Sequence, residues 1–281
     1  MLTRPGMRML LAVALVVSSG AAACDRPGGG NELLRYVSLG DSVPSGAGLP
    51  DASGPCQRSP SAYPSLLAEQ ADLLPSLRAC SGAATEDILE RAQHPGEGRQ
   101  LDWLAADTDV VTLTIGGNDI GFARVVGVCL TTTESCSRLE GEINGRIAGL
   151  RQRLDLIHGE IRRRLPKARL LVVGYPRLIV DHQDAELDRC ARLGAAARIT
   201  AEEAEWLRKK GDALDAALRE SAEAAGGRFV DAAGHFEGHE ACSRQPWVHG
   251  VAEGDLTSSF HPNAAGHQAL ARLVARELRR G

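Results

Sequence analysis

Five short apolar runs punctuate this chain, and stretches of helical periodicity separate them. Residues 34–39, 77–79, 109–115, 168–173 and 228–231 read as strands. Residues 62–74 read as a helix, with Leu66, Leu67 and Leu73 at helical spacing. Further helices are predicted over 139–165, closed by Pro166, over 199–225, closed by Gly226-Gly227, and over 263–279. Short strands alternating with helices make a parallel sheet covered on both faces. The expected fold is therefore α/β, a three-layer α/β/α sandwich on a mostly parallel five-stranded sheet. Open sheets of this kind place their sites at the carboxyl ends of the strands. The first strand delivers Gly40-Asp41-Ser42 to that edge, which puts one hydroxyl there.

The amino-terminal segment belongs to another class of sequence. Arg4 and Arg8 form a basic start, the apolar stretch from Met9 to Val17 is too short to span a bilayer, and Ala21-Ala22-Ala23 precede Cys24. Residues 1–23 are expected to be a signal peptide of lipoprotein type, with Cys24 the lipidated residue. An ordinary cleavage site beside a chance cysteine is the other reading. Residues 24–33, with Gly28-Gly29-Gly30, read as a flexible tether, and 34–281 as one α/β domain. The chain has seven cysteines. Removing Cys24 leaves Cys56, Cys80, Cys129, Cys136, Cys190 and Cys242, an even set suited to disulfides in an exported protein. Closure between sequential partners favours Cys56–Cys80, Cys129–Cys136 and Cys190–Cys242. Without residues 1–23 the chain carries 30 basic and 36 acidic side chains, a balance that offers no nucleic-acid footprint.

A serine at a strand end does acyl-transfer chemistry only when a base and oxyanion donors converge on it. The expected base is His261, in Ser259-Phe260-His261-Pro262-Asn263. Pro262 suits the first turn of the last helix and holds His261 extended, at the mouth of that helix, where the dipole favours neutral imidazole. Gly82 offers a backbone N–H with no side chain in the way, Asn118 a side-chain amide, and Ser42 its own N–H. A helix cap is the alternative role for Asn118.

Together these residues resemble the SGNH hydrolase superfamily of GDSL-type esterases and lipases. Gly40-Asp41-Ser42 is similar to its first block, Gly82 to the second, Gly116-Gly117-Asn118-Asp119 to the third and His261-Pro262-Asn263 to the fifth. Cys56-Gln57-Arg58-Ser59, Tyr63-Pro64 and Ala79-Cys80-Ser81-Gly82-Ala83 resemble the secreted, disulfide-rich actinobacterial branch, whose six cysteines pair in sequence order. The resemblance implies a flavodoxin-like fold, Ser42 as nucleophile, His261 as base, and Ser42, Gly82 and Asn118 as the oxyanion hole. Val43 stands where the family name has leucine, and Ser258 where many members have an acid three residues before the histidine. The expected orienting partner of His261 is then a backbone carbonyl of Ser258 or Ser259, with Asp255 the acidic alternative.

The resulting expectation is a secreted or membrane-anchored serine esterase or lipase, monomeric and without cofactor, held on the outer face of the membrane through Cys24. An acetyl-ester esterase acting on polysaccharide is the alternative, and a non-enzymatic surface lipoprotein the third reading. His235 and His239, four residues apart, invite a metal, but the aperiodic segment around them argues against one shared face, so no metal is expected. Arg162-Arg163-Arg164 reads as a solvated helix end.

Overall fold

Strand β1 (Leu34–Gly40) lies inside the sheet and sets the register of everything around the serine. The computed structural model describes Met1 and residues 33–131, 134–179, 199–251 and 258–280. Four more strands join β1: β2 (Leu73–Leu77), β3 (Val110–Thr114), β4 (Arg169–Val173) and β5 (Arg228–Val230). Their order is β2-β1-β3-β4-β5, and every pairing is parallel. Tyr36 pairs with Val110 and Gly40 with Thr114, so β1 and β3 end level with each other.

Residues alternate between the two faces of the sheet. Tyr36, Val110, Leu171, Val173 and Val230 join one core with helices α2 (Tyr63–Gln70) and, at the end of the chain, α8 (Ala264–Arg279). Val37, Leu39, Val111, Leu113, Leu170 and Val172 join the other, against α5 (Glu140–Arg164) and α6 (Ala201–Ala224). Short helices α1 (Ser42–Ser45), α3 (Thr85–Leu89) and α7 (Ala232–His235) follow strand ends, and α4 (Phe122–Thr131) follows the turn after β3. This is the expected three-layer α/β/α sandwich. No helix among the described residues is long and apolar enough to cross a membrane.

Two boundaries differ from the periodicity. The helix expected over 62–74 ends at Gln70, and the second strand runs over Leu73–Leu77 instead of 77–79. Asp72 adopts φ 51°, a left-handed turn that stops the helix, and Leu73 enters the sheet beside Leu34. Pro75 is tolerated because β2 is an edge strand. At the other end of the chain, Asn263 is the cap of α8 and accepts from Gly266 N–H at 3.0 Å. Pro262 therefore precedes the helix rather than occupying its first turn.

Two of the three expected disulfides are present, Cys56–Cys80 and Cys129–Cys136. Cys242 is disulfide-bonded as well, and its expected partner Cys190 lies outside the described residues, as do Cys24 and Asp255.

Candidate active site

Gly40 allows the chain to turn sharply at the end of β1. Its φ is +132°, and a Cβ there would stand 2.1 Å from the Thr114 carbonyl oxygen. The Gln100 side chain holds this glycine from both sides: Gly40 N–H donates to Gln100 Oε1 at 2.7 Å, and Gln100 Nε2 donates to Gly40 O at 2.8 Å. Asp41 N–H then donates to Thr114 O at 3.0 Å, and the Asp41 carboxylate caps α1 by accepting from Val43 N–H at 3.1 Å. Ser42 is thereby the first residue of a one-turn helix at the strand end. Its own N–H has no acceptor among the described residues.

Asp41 is fully buried, and a second strand end supports it. Tyr175 follows β4, and its hydroxyl donates to Asp41 Oδ2 while accepting from Gly117 N–H at 2.8 Å. Tyr175 N–H donates to Asp215 Oδ1 on α6 at 3.1 Å. One phenol thus ties the ends of β1, β3 and β4 together. Burial pushes the Asp41 carboxyl up to about 7, against the pull of the hydrogen bonds from Tyr175 and Val43. Burial likewise pushes Asp215 up to about 7. Tyr175 was missed in the sequence, although Val173-Gly174-Tyr175-Pro176 is a strand end of the same kind as those that carry Ser42 and Asn118.

His261 arrives from the carboxyl-terminal segment. Its N–H donates to Ser258 O at 3.1 Å, and its carbonyl accepts from His249 N–H at 2.9 Å. An antiparallel bridge joins Val248 to Pro262, and Asn263 Nδ2 donates to Pro246 O at 2.8 Å. These bonds fix the backbone, and the imidazole Nδ1 lies 3.1 Å from Ser259 O. Gly48, six residues past the start of α1 and at φ +90°, lets this segment approach. A Cβ on Gly48 would lie 2.9 Å from Ser258 Cα and 3.4 Å from His261 Cβ.

Ser42, Asn118, Ser259 and His261 line one cavity of about 330 Å³. Its further wall is apolar, with Phe122, Val126, Leu130, Leu178, Val251 and Phe260. Asp41 is the one Asp, Glu, Lys or Arg among the described residues of that lining. The Asn118 amide donates one N–H to Ala83 O at 2.8 Å, which couples the third-strand turn to the Cys80–Ala83 turn. Gly82 sits on that turn at φ +80°, next to Ala83 but outside the cavity lining. Asp119 does not face the cavity wall either; it accepts from Thr85 N–H and from the Thr85 hydroxyl. His235 and His239 pack on Trp247, with His239 stacked at 3.6 Å between ring centroids. The one His/Cys/Asp/Glu cluster of metal-site dimensions among the described residues is Cys56, Cys80 and His94, and both of its cysteines are oxidised in the Cys56–Cys80 bridge.

Comparison with known proteins places the chain in a family. The model of the GDSL-like Lipase/Acylhydrolase family matches residues 38–269. The chain belongs to this family. The hydrolase is 34% identical to Lipase 1 of Streptomyces coelicolor over 269 residues, covering 92% of its own length and 90% of that protein. Its fold superposes on the crystal structure of phospholipase A1 from Streptomyces albidoflavus NA297 with a TM-score of 0.74 and 32% identity, over 88% of this chain and 99% of that one. The extracellular lipase of Streptomyces rimosus gives the same TM-score and identity over 87% and 99%. The hydrolase is thus a carboxylic ester hydrolase.

Proposed function

We propose that the protein is an exported lipase-type esterase in which Ser42 is the nucleophile and His261 its base. The observation that carries this reading is the shared cavity, in which a strand-end serine and a histidine with an occupied Nδ1 face one apolar volume. With Ser259 O accepting from Nδ1–H, the lone pair of the imidazole lies on Nε2, the nitrogen a base must present.

In the proposed reaction Ser42 Oγ attacks the ester carbonyl as its proton passes to His261 Nε2. The carbonyl oxygen becomes an oxyanion, held by the Ser42 N–H and the second N–H of Asn118, with the Gly82 N–H as third donor. The intermediate collapses, the C–O bond to the alcohol breaks, and His261 returns the proton to the leaving oxygen. Water, deprotonated by His261, then attacks the acyl-enzyme and releases the carboxylic acid and Ser42. The Ser259 carbonyl steadies the imidazolium in both halves.

The apolar wall favours the acyl chain of a lipid ester over an acetylated sugar. Relatives named lipase and phospholipase A1 support the same substrate class. We assign residues 1–23 as signal peptide, 24–33 as tether and 34–281 as the hydrolase domain, with Cys24 as a lipid anchor to the outer membrane face. We further propose that the chain acts as a monomer.

Labelling by a fluorophosphonate tests the site. Wild type is expected to react, and Ser42→Ala and His261→Ala to lose labelling and ester turnover. Asp255→Asn is expected to keep most of its turnover. A fall of the size that accompanies loss of a triad carboxylate, about 10⁴-fold, would overturn orientation by a carbonyl. Mass spectrometry of the mature amino terminus checks the acylated Cys24.

A further inference from the structure

Helix α4 forms one wall of the cavity and is held in place from behind. Val125 and Cys129 face a core with Cys136, Leu139 and Ile143, and the Cys129–Cys136 disulfide locks the helix to that core. At 100° per residue, Gly127 is turned roughly 200° from both Val125 and Cys129. That direction is the cavity, whose lining takes Ala123, Val126, Gly127 and Leu130 from this helix. A Cβ built on Gly127 meets no described atom within 4 Å. Glycine is the least favourable non-proline residue inside a helix, so its place in the middle of α4 asks for a reason other than the helix itself. Among the described residues no close packing supplies one: the absent side chain leaves room in the cavity.

We propose that Gly127 sets the usable depth of the acyl-chain site, and so selects medium and long aliphatic esters over short ones. This rests on the reading that the cavity receives the acyl chain of the ester attacked by Ser42. A side chain at this position would grow from a helix that cannot retreat, because its opposite face is packed and disulfide-bonded. It would therefore take volume from the ligand rather than push the wall outward.

The size of the effect follows from apolar transfer. Burying one methylene is worth roughly a fourfold gain in binding. A leucine side chain brings four carbons and displaces a comparable number of methylenes from a long chain, while a butyryl group has none to lose at that depth.

The experiment compares kcat/KM for p-nitrophenyl dodecanoate and p-nitrophenyl butyrate in wild type, Gly127→Ala and Gly127→Leu. The dodecanoate-to-butyrate ratio is expected to fall a few-fold in Gly127→Ala and at least tenfold in Gly127→Leu. Gly127→Ala is also expected to melt at a higher temperature than wild type, so a lower ratio in that variant is not a folding defect. A ratio within twofold of wild type in folded Gly127→Leu, or an equal loss on both esters, overturns the proposal. Should Gly127→Leu fail to fold, the Gly127→Ala ratio decides alone. Calorimetric binding of laurate to Ser42→Ala separates the depth of the site from its chemistry. Laurate is expected to bind at least tenfold more weakly once Gly127→Leu is added, and unchanged binding overturns the proposal even if another residue proves to be the nucleophile.

Discussion

Tyr175→Phe removes one oxygen from the junction of three strands, and its cost depends on pH in a way the structure fixes. The lost hydroxyl donates to buried Asp41 and accepts from Gly117 N–H. Asp41 has a folded-state pKa of about 7, raised from 3.8 mainly by burial. A raised carboxyl binds its proton more tightly in the folded state, so its stabilising contribution is full below the unfolded value and is lost as pH rises through about 7. The Tyr175 hydrogen bond opposes that rise. Without it the folded pKa climbs further and the loss at alkaline pH grows. At pH 5.5, Asp41 is protonated and the missing bond is one between neutral groups, worth about 1 kcal/mol, with a further ~1 kcal/mol for the orphaned Gly117 N–H. At pH 8.5 the carboxylate is charged, and the same bond is worth about 1.5–3 kcal/mol. Urea unfolding of wild type and variant at the two pH values should give destabilisations of roughly 2 kcal/mol at pH 5.5 and roughly 2.5–4 kcal/mol at pH 8.5. Asp215 titrates over the same window, but it is bonded to the Tyr175 backbone N–H, which phenylalanine keeps. Equal destabilisation at both values, or a larger one at pH 5.5, would refute the coupling of Tyr175 to a charged Asp41.

Two other perturbations probe the histidine segment and its helix. Gly48→Ala puts a Cβ 2.9 Å from Ser258 Cα at a φ of +90°; it should cost roughly 1–3 kcal/mol in stability and, by displacing His261, lower kcat on the order of 10–100-fold, with steady-state kinetics and thermal melts as readouts and a wild-type kcat as the contrary result. His267 accepts from Tyr63 N–H at 3.1 Å, and burial holds its pKa down at about 3. A lowered histidine gives stability that is present above the unfolded value of 6.5 and lost as pH falls toward 3, so between pH 7.5 and 4.5 wild type should lose about 2–3 kcal/mol through this group. His267→Gln, compared by urea unfolding, should be spared that loss, and an identical pH slope in the two proteins would show that His267 does not titrate as described.

The strand ends were legible in the sequence because a buried parallel strand cannot hide its composition. Residues 109–115 offer β-branched residues on both faces and stop at paired glycines, and β3 is found there. The edge strand was misplaced for the same physical reason. Leu73 lies at helical spacing from Leu66, and an edge strand with one solvated face carries too few apolar residues to outvote that pattern. Helix α4 escaped notice because Val125-Val126-Gly127-Val128 reads as strand-like on propensity, and only its packing and its disulfide make it helical. In the site, residue types at strand ends pointed to Ser42, Gly82 and Asn118, and the start of the last helix to His261; Ser42, Asn118 and His261 share one cavity, and Gly82 lies outside its lining. The buried phenol of Tyr175 was not legible, because its role depends on a register between strands that no local pattern encodes.

The strand order also has a consequence for assembly. Ser42 lies just past β1, the first strand along the described chain, and His261 lies just before the last helix, α8. Helix α8 packs on α2, whose first backbone N–H is held by His267. A chain that has paired its early strands but not yet docked α8 therefore carries the serine at the sheet edge with no imidazole beside it. With Ser42 and His261 in their proposed roles, hydrolytic competence requires the docking of α8, so an ester assay during refolding reports that docking rather than formation of the sheet alone.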